Sequence, residues 1–161
     1  MKSFIKYWLP LLIWLGVMFL GSTDLMSGEH TSRFVVPILL WLKPGMAPKT
    51  IWIILVVMRK CAHVTEYAIL ALLLWRAVRS GSALHMKMSL LFGGVLLASA
   101  LFAASDEFHQ SFVKSRTPSV RDVLLDVAGA FLGLLIGASF AQRHPKQTRS
   151  TTESQFVDAR L

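Results

Sequence analysis

The chain has 161 residues, of which 54% are hydrophobic and only 16% are charged. A water-soluble domain of this length could not bury so much apolar surface, so the composition excludes an ordinary soluble globular protein. The net charge of +8 comes mainly from basic residues at the ends of apolar runs and in the tail, which favours anionic lipid headgroups over nucleic acid as their partner. The single cysteine, Cys61, excludes an intramolecular disulfide and a multi-cysteine zinc site.

Long apolar runs predict an all-α integral membrane protein built as a four-helix bundle. A helix needs about 20 apolar residues to cross the hydrocarbon core, and four runs are long enough or nearly so: residues 4–20, 51–75, 88–104 and 123–140. The first run follows Lys2 and Lys6 and resembles a signal peptide. It is long for one and lacks a small residue at the −3 position of a cleavage site, so it is expected to remain as a span.

A shorter apolar run, residues 34–42, lies between the first two spans and ends at Lys43-Pro44-Gly45. It is too short to cross a membrane and predicts an interfacial or re-entrant segment that caps the bundle. Residues 1–141 are therefore predicted to form one transmembrane domain. Residues 142–161 are polar and predict a disordered cytoplasmic tail.

The distribution of Lys and Arg predicts the orientation. With four spans, the N-terminus, the loop over residues 76–87 and the tail share one side of the membrane and hold nine basic residues, against six on the other side. The positive-inside rule then favours cytoplasmic N- and C-termini in a bacterial inner membrane. The segment from Asp106 to Arg121 is expected to face outward.

The second span carries charged residues within its apolar sequence. Lys60, His63 and Glu66 are spaced three residues apart, so they share one stripe of a helix, with Tyr67 one turn from His63 on the same face. Ionisable groups in hydrocarbon are costly and usually face a protein interior or a wet cavity. The stripe predicts either mutual neutralisation or an acid–base pair.

A second polar run follows the third span and contains Asp106, Glu107, His109 and Gln110. Asp106 shares a helical face with His109 or Gln110. Carboxylates beside an imidazole suit general acid–base chemistry, and they also suit a metal held by His and carboxylate. Because no tight motif such as HExxH is present, we predict no metal site and no cofactor. A charge cluster that only stabilises a loop remains an alternative.

The fourth span begins with a third polar cluster. Ser119 is a good helix N-cap with Asp122 three residues later, as in a capping box. Capping does not explain Asp126, one turn deeper. A carboxylate inside a span needs a partner, and Lys60 and His63 are the candidates.

Glycines recur every four residues further along the fourth span, at Gly129, Gly133 and Gly137. Such a ridge of small residues lets another helix approach closely. The ridge predicts helix packing and marks the buried face of the span, on or near which Asp122 and Asp126 lie.

The order and spacing of the three polar motifs resemble the VanZ-like family over about residues 10–140. The motifs that carry the resemblance are Lys60-x-x-His63-x-x-Glu66-Tyr67, Ser105-Asp106-Glu107-x-His109-Gln110-x-Phe112 and Arg116-x-x-Ser119-x-x-Asp122-x-x-x-Asp126-x-x-Gly129-x-x-x-Gly133. These small bacterial membrane proteins are named for an accessory protein of glycopeptide (teicoplanin) resistance. The resemblance implies a role in the cell envelope and names no reaction.

Three functions remain open from the sequence. The first is a binding or accessory protein whose outward-facing polar site engages an envelope lipid or lipid-linked cell-wall precursor, with Lys60, Arg116 and Arg121 meeting anionic groups. The second is an intramembrane hydrolase or transferase, with Glu66 or Glu107 as base and His63 or His109 as acid or ligand. The third is a structural protein whose polar groups only fix helix packing.

Overall fold

The computed structural model describes residues 2–22, 28–81, 87–112 and 119–143, and these ranges contain five helices and no strand. The helices are α1 (Lys2–Ser22), α2 (Gly28–Leu42), α3 (Pro48–Gly81), α4 (Met88–Gln110) and α5 (Val120–Arg143). The predicted all-helical class is confirmed. The four predicted spans lie in α1, α3, α4 and α5, and the predicted short segment lies in α2. The polar tail beyond residue 143 and most of the loop before α5, including Arg116, lie outside the described residues.

Hydropathy and length single out three helices rather than the four that the sequence predicted as spans. Phe4–Ser22, Met88–Gln110 and Val120–Phe140 are long and apolar enough to cross a membrane. The longest helix, α3, has 34 residues but is not among them. Its middle carries the charged residues Arg59, Lys60 and Glu66, which lower its mean hydropathy.

Packing centres on α3, which contacts all four other helices, whereas α2 contacts α3 alone among the described elements. The most extensive contact is between α3 and α5, which run parallel. A Cβ atom at Gly129 or Gly133 would come closer than 3.0 Å to the backbone of Val64 or Ala68, so these two glycines allow the close approach. At Gly137 a Cβ would meet only the side chain of Leu72.

The core lies at the centre of the bundle formed by α1, α3, α4 and α5. Its fully buried residues include Leu70, Ala71, Ala103, Ala130 and Leu134. The indole N–H of Trp14 donates a 3.1 Å hydrogen bond to the backbone carbonyl of Glu66 and ties α1 to α3. Large apolar side chains cover the outer faces of the same helices, as expected for helices that contact lipid.

Candidate functional site

One salt bridge and one imidazole–carboxylate contact connect α3 with α5 where the polar motifs meet. The Lys60 ammonium lies 2.6 Å from Oδ1 of Asp122, and Nδ1 of His63 lies 3.4 Å from Oδ1 of Asp126. Because the helices are parallel, residues one turn apart on α3 meet residues one turn apart on α5. Of the two partners considered for Asp126, His63 is the one in contact, and Lys60 pairs with Asp122.

The inner pair is the more buried one. Asp126 is 1% exposed, whereas the Lys60 and Asp122 side chains are 49% and 34% exposed. Nδ1 of His63 and Oδ1 of Asp126 are close without being aligned for a hydrogen bond, and among the described residues neither atom has another partner. The contact leaves Nε2 as the His63 nitrogen available to a ligand.

Glu107 holds the beginning of α5. Its carboxylate accepts a hydrogen bond from the backbone N–H of Ser119, and the Ser119 hydroxyl caps the helix by accepting from the N–H of Arg121 at 3.2 Å. The capping box expected from the sequence is therefore only half present. Asp122 instead contacts Lys60. The Glu107 carboxylate of α4 accepts the Ser119 N–H that Asp122 would accept in a capping box.

The neighbouring acid on α4 points elsewhere. Asp106 accepts a 2.7 Å hydrogen bond from the side-chain amide of Gln110, one turn later on the same helix. Adjacent helical residues project about 100° apart, so Asp106 turns toward α1 while Glu107 turns toward α5. The two carboxylates do not form a pair.

A cavity of about 290 Å³, called the main cavity below, lies between α1, α2, α3 and α4. Polar and apolar side chains both contribute to its wall, which is lined by Val17, Met18, Gly21, Ser22, Thr31, Leu55, Met58, Arg59, Ala62, His63, Glu66, Asp106 and Gln110. Ser22 is buried, and its hydroxyl has no partner among the described residues. The main cavity can therefore offer both hydrogen-bonding groups and an apolar surface.

A second cavity of about 190 Å³, called the side cavity below, opens toward α5 and is lined by Lys60, Glu107 and Asp122 among others. Arg59, His63 and Gln110 line both cavities. The His63 side chain therefore lies between them, with buried Asp126 behind it.

The remaining predicted site residues lie at the edge of this arrangement or beyond it. Tyr67 is 1% exposed and lines a further cavity of about 220 Å³ with Asp106, between α1, α3 and α4. Its hydroxyl has no partner in the part of the chain that the structure describes. The ring of His109 packs on Phe19 at 5.4 Å between centroids and lines neither the main nor the side cavity.

Sequence reasoning missed Arg59 and the apolar part of the wall. Arg59 lies beside Lys60 within an apolar run, so its charge was visible in the sequence. Only Lys60 was assigned to the site. Met18, Leu55 and Met58 carry no signal in the sequence, because a cavity wall and a lipid-facing surface require the same residue types. Among the described residues, no group of three His, Cys, Asp or Glu side chains could hold a metal ion.

Comparison with known proteins identifies the family. No curated protein and no solved structure matches the chain. The sequence profile of the VanZ/LLP1 family matches residues 7–141, which include all the residues that line the two cavities. The chain therefore belongs to the VanZ/LLP1 family.

Proposed function

We propose that this protein is an accessory protein of the bacterial cell envelope that binds a membrane lipid in the main cavity. The ligand is an envelope lipid or a lipid-linked cell-wall precursor: a molecule with a polar headgroup and an apolar chain. The proposal rests on one observation, the presence of both polar and apolar side chains in the wall of the main cavity.

The polar side chains that line the main cavity suit a headgroup that carries both negative charge and hydroxyl or amine groups. Arg59 supplies a cation with a planar set of donors, which matches phosphate. Glu66 and Asp106 supply acceptors for hydroxyl or amine groups, and Nε2 of His63 supplies a donor or an acceptor. A simple anion would leave the two acids facing a negative charge, so a phosphate that bears a sugar or amine fits better.

The apolar side chains that line the main cavity suit the first part of an acyl or prenyl chain. Val17, Met18, Leu55 and Met58 line the cavity. Methionine adapts to irregular apolar ligands because its chain is flexible and its sulfur polarizable. A bound lipid would thus contact polar side chains with its headgroup and apolar side chains with the start of its chain.

The test is lipid retention by the full chain, purified in mild detergent and measured by native mass spectrometry. We expect one lipid class to be enriched over its share in the host membrane. Ala62→Leu should abolish this enrichment, because Ala62 lines the main cavity and the larger side chain would occupy it. Cys61→Leu is the matched control, since Cys61 is also exposed on α3 but lies outside the cavity wall. Equal lipid profiles in the two variants would contradict the proposal.

A second candidate function, hydrolysis or group transfer on the bound lipid, is favoured by the contact between His63 and Asp126. A carboxylate next to an imidazole stabilises the positive charge that the ring carries after it takes a proton, as general acid–base catalysis requires. If this function is correct, the lipid incubated with the protein should be chemically altered, and His63→Asn should bind it without altering it. Recovery of intact lipid from the wild-type protein would leave binding alone.

A further inference from the structure

The helices of the bundle reach different heights, and α3 extends furthest. Its pairs with α5, Lys60 with Asp122 and His63 with Asp126, place the start of α5 beside the middle of α3. About ten residues of α3, from Pro48 onward, therefore extend beyond the start of α5, which corresponds to about 15 Å. Helix α2 contacts α3 and no other described helix. Helix α2 and the first turns of α3 form a helical hairpin, which we call the α2–α3 hairpin.

The α2–α3 hairpin is apolar on its outer surface. Its exposed large hydrophobic residues outside the main cavity are Phe34, Ile38, Leu40, Trp41, Leu42, Trp52, Ile53 and Val57. The outer faces of α1, α4 and α5, which contact lipid, carry the same kind of residue. In water such a surface would be very unfavourable.

The tip of the hairpin carries the residues expected at a membrane–water interface. Trp41 and Trp52 lie on either side of the turn, together with Lys43 and Lys49. Tryptophan and lysine are typical of the headgroup level, where an apolar body and a polar or charged end are both satisfied.

The other end of α3 carries a similar group of aromatic and basic residues, and each of the two groups is called a belt below. The Arg76 guanidinium lies 5.3 Å from the centre of the Tyr7 ring, and the Arg79 guanidinium lies 5.9 Å from the centre of the Trp75 ring. Trp52 and Trp75 are 23 residues apart on one helix, which is about 35 Å. A moderately tilted helix of this length fits a hydrocarbon core of about 30 Å. From Lys60 to Arg76 the same helix covers only about 24 Å, which is too short.

We propose that the α2–α3 hairpin is surrounded by lipid acyl chains, with its tip at the headgroups, and that the two contacts between α3 and α5 consequently lie inside the bilayer. His63 is eleven residues from Trp52 and twelve from Trp75, so it lies near the middle of the membrane, about 17 Å from either belt along α3. Helix α1 agrees with this placement. From Tyr7 in the belt to Ser22 on the main cavity it covers only about 22 Å, so Ser22 lies within the core.

The depth of the main cavity in the membrane determines the route by which a ligand enters it. A headgroup would reach the main cavity from within the membrane, beside the hairpin, and not from the aqueous phase. This consequence for entry rests on the proposed lipid-binding function, whereas the depth itself does not.

Spin labels in lipid nanodiscs test the depth without any ligand. Labels are attached to Lys49→Cys, Ile53→Cys and Val57→Cys, each in the Cys61→Ser background, and their collision rates with oxygen and with a water-soluble nickel chelate are compared. We expect Lys49→Cys to favour the nickel chelate. Ile53→Cys and Val57→Cys should favour oxygen, and more strongly at Val57→Cys, which lies deeper. Leu101→Cys, on the exposed face of α4, is the lipid-facing reference.

Two results would overturn the inference. Preference for the nickel chelate at both Ile53→Cys and Val57→Cys would place the hairpin in water. Low collision rates with both reagents at these positions would show that protein covers the hairpin, either a second copy of the chain or another partner. Both results are independent of lipid retention in the main cavity, so this inference can fail while the proposed function stands. Because all three labelled positions are exposed, the variants should keep the helical content of the parent protein, which circular dichroism checks.

Discussion

At the scale of single residues, the central feature is the pairing of α3 with α5 through one partly exposed salt bridge and one buried imidazole–carboxylate contact. The outer pair, Lys60 with Asp122, is half exposed, and such pairs contribute little to stability because water and side-chain entropy offset the attraction. The inner pair contains Asp126, which is buried. Removal of one partner of a buried pair leaves a charge or a polar group without compensation.

The buried pair should therefore show energetic coupling that the alternative pair lacks. We expect His63→Leu and Asp126→Leu each to lower the free energy of unfolding, and the double variant to lower it by about 0.5–3 kcal/mol less than the sum of the two. Lys60→Met combined with Asp126→Leu should be additive. Denaturation in mixed detergent and dodecyl sulfate measures these values. Additivity for the His63 and Asp126 variants would contradict the pairing.

Glu107 should contribute to folding through its oxygen atom and not through its charge. Its carboxylate accepts the backbone N–H of Ser119, and the amide oxygen of glutamine can do the same. Glu107→Gln should thus retain stability, whereas Glu107→Ala should lose about 1–3 kcal/mol because the partly buried N–H loses its partner. Thermal unfolding of the purified protein in detergent compares them. Equal losses in the two variants would show that the charge itself is required.

At the scale of helices, much of the structure could be predicted from the sequence, because each span is recorded in a run of apolar residues. Two features could not. The sequence places the second span at residues 51–75, but α3 begins at Pro48 and ends at Gly81, since polar residues at helix ends do not interrupt backbone hydrogen bonds. The choice between Lys60 and His63 as partner of Asp126 depends on the relative height of two helices, and no single stretch of sequence encodes that height.

The positions of Asp106 and Glu107 illustrate the same limit within the candidate site. Their proximity in sequence suggested a joint role, but helix geometry turns one toward α1 and the other toward α5. His109 belongs to the same run and packs on Phe19 instead. Which neighbour each face meets depends on the arrangement of the whole bundle, and the sequence of α4 alone does not contain it.

The glycine ridge of α5 should be sensitive to single methyl groups in a graded way. Gly133→Ala would force a Cβ atom against the backbone of Ala68, and such overpacking costs about 1–3 kcal/mol. Gly137→Ala meets only the movable Leu72 side chain and should cost less. Gly93→Ala on α4 is the matched control, because no atom lies within 4 Å of the added carbon. Unfolding in detergent should rank the three variants in this order, and a cost at Gly93 equal to that at Gly133 would contradict the close contact.

At the scale of the whole molecule, the orientation in the membrane remains a prediction from the distribution of Lys and Arg. We expect both termini in the cytoplasm and the α4–α5 loop on the outer side. An enzyme reporter that is active only in the cytoplasm should function when fused after residue 145. A reporter that is active only after export should stay inactive at the same position. Its activity there would reverse the predicted orientation and place the α4–α5 loop on the cytoplasmic side.

The central claim, a lipid in the main cavity, is tested most directly by photo-crosslinking in living cells. A photoreactive leucine analogue replaces Leu55, which lines the main cavity, or Ile53, which is exposed on the same helix outside its wall. Mass spectrometry of the labelled peptides identifies what each position contacts. We predict that position 55 yields adducts of one lipid class that is rare among those at position 53. Identical adducts at the two positions, in the proportions of the bulk membrane, would contradict the claim.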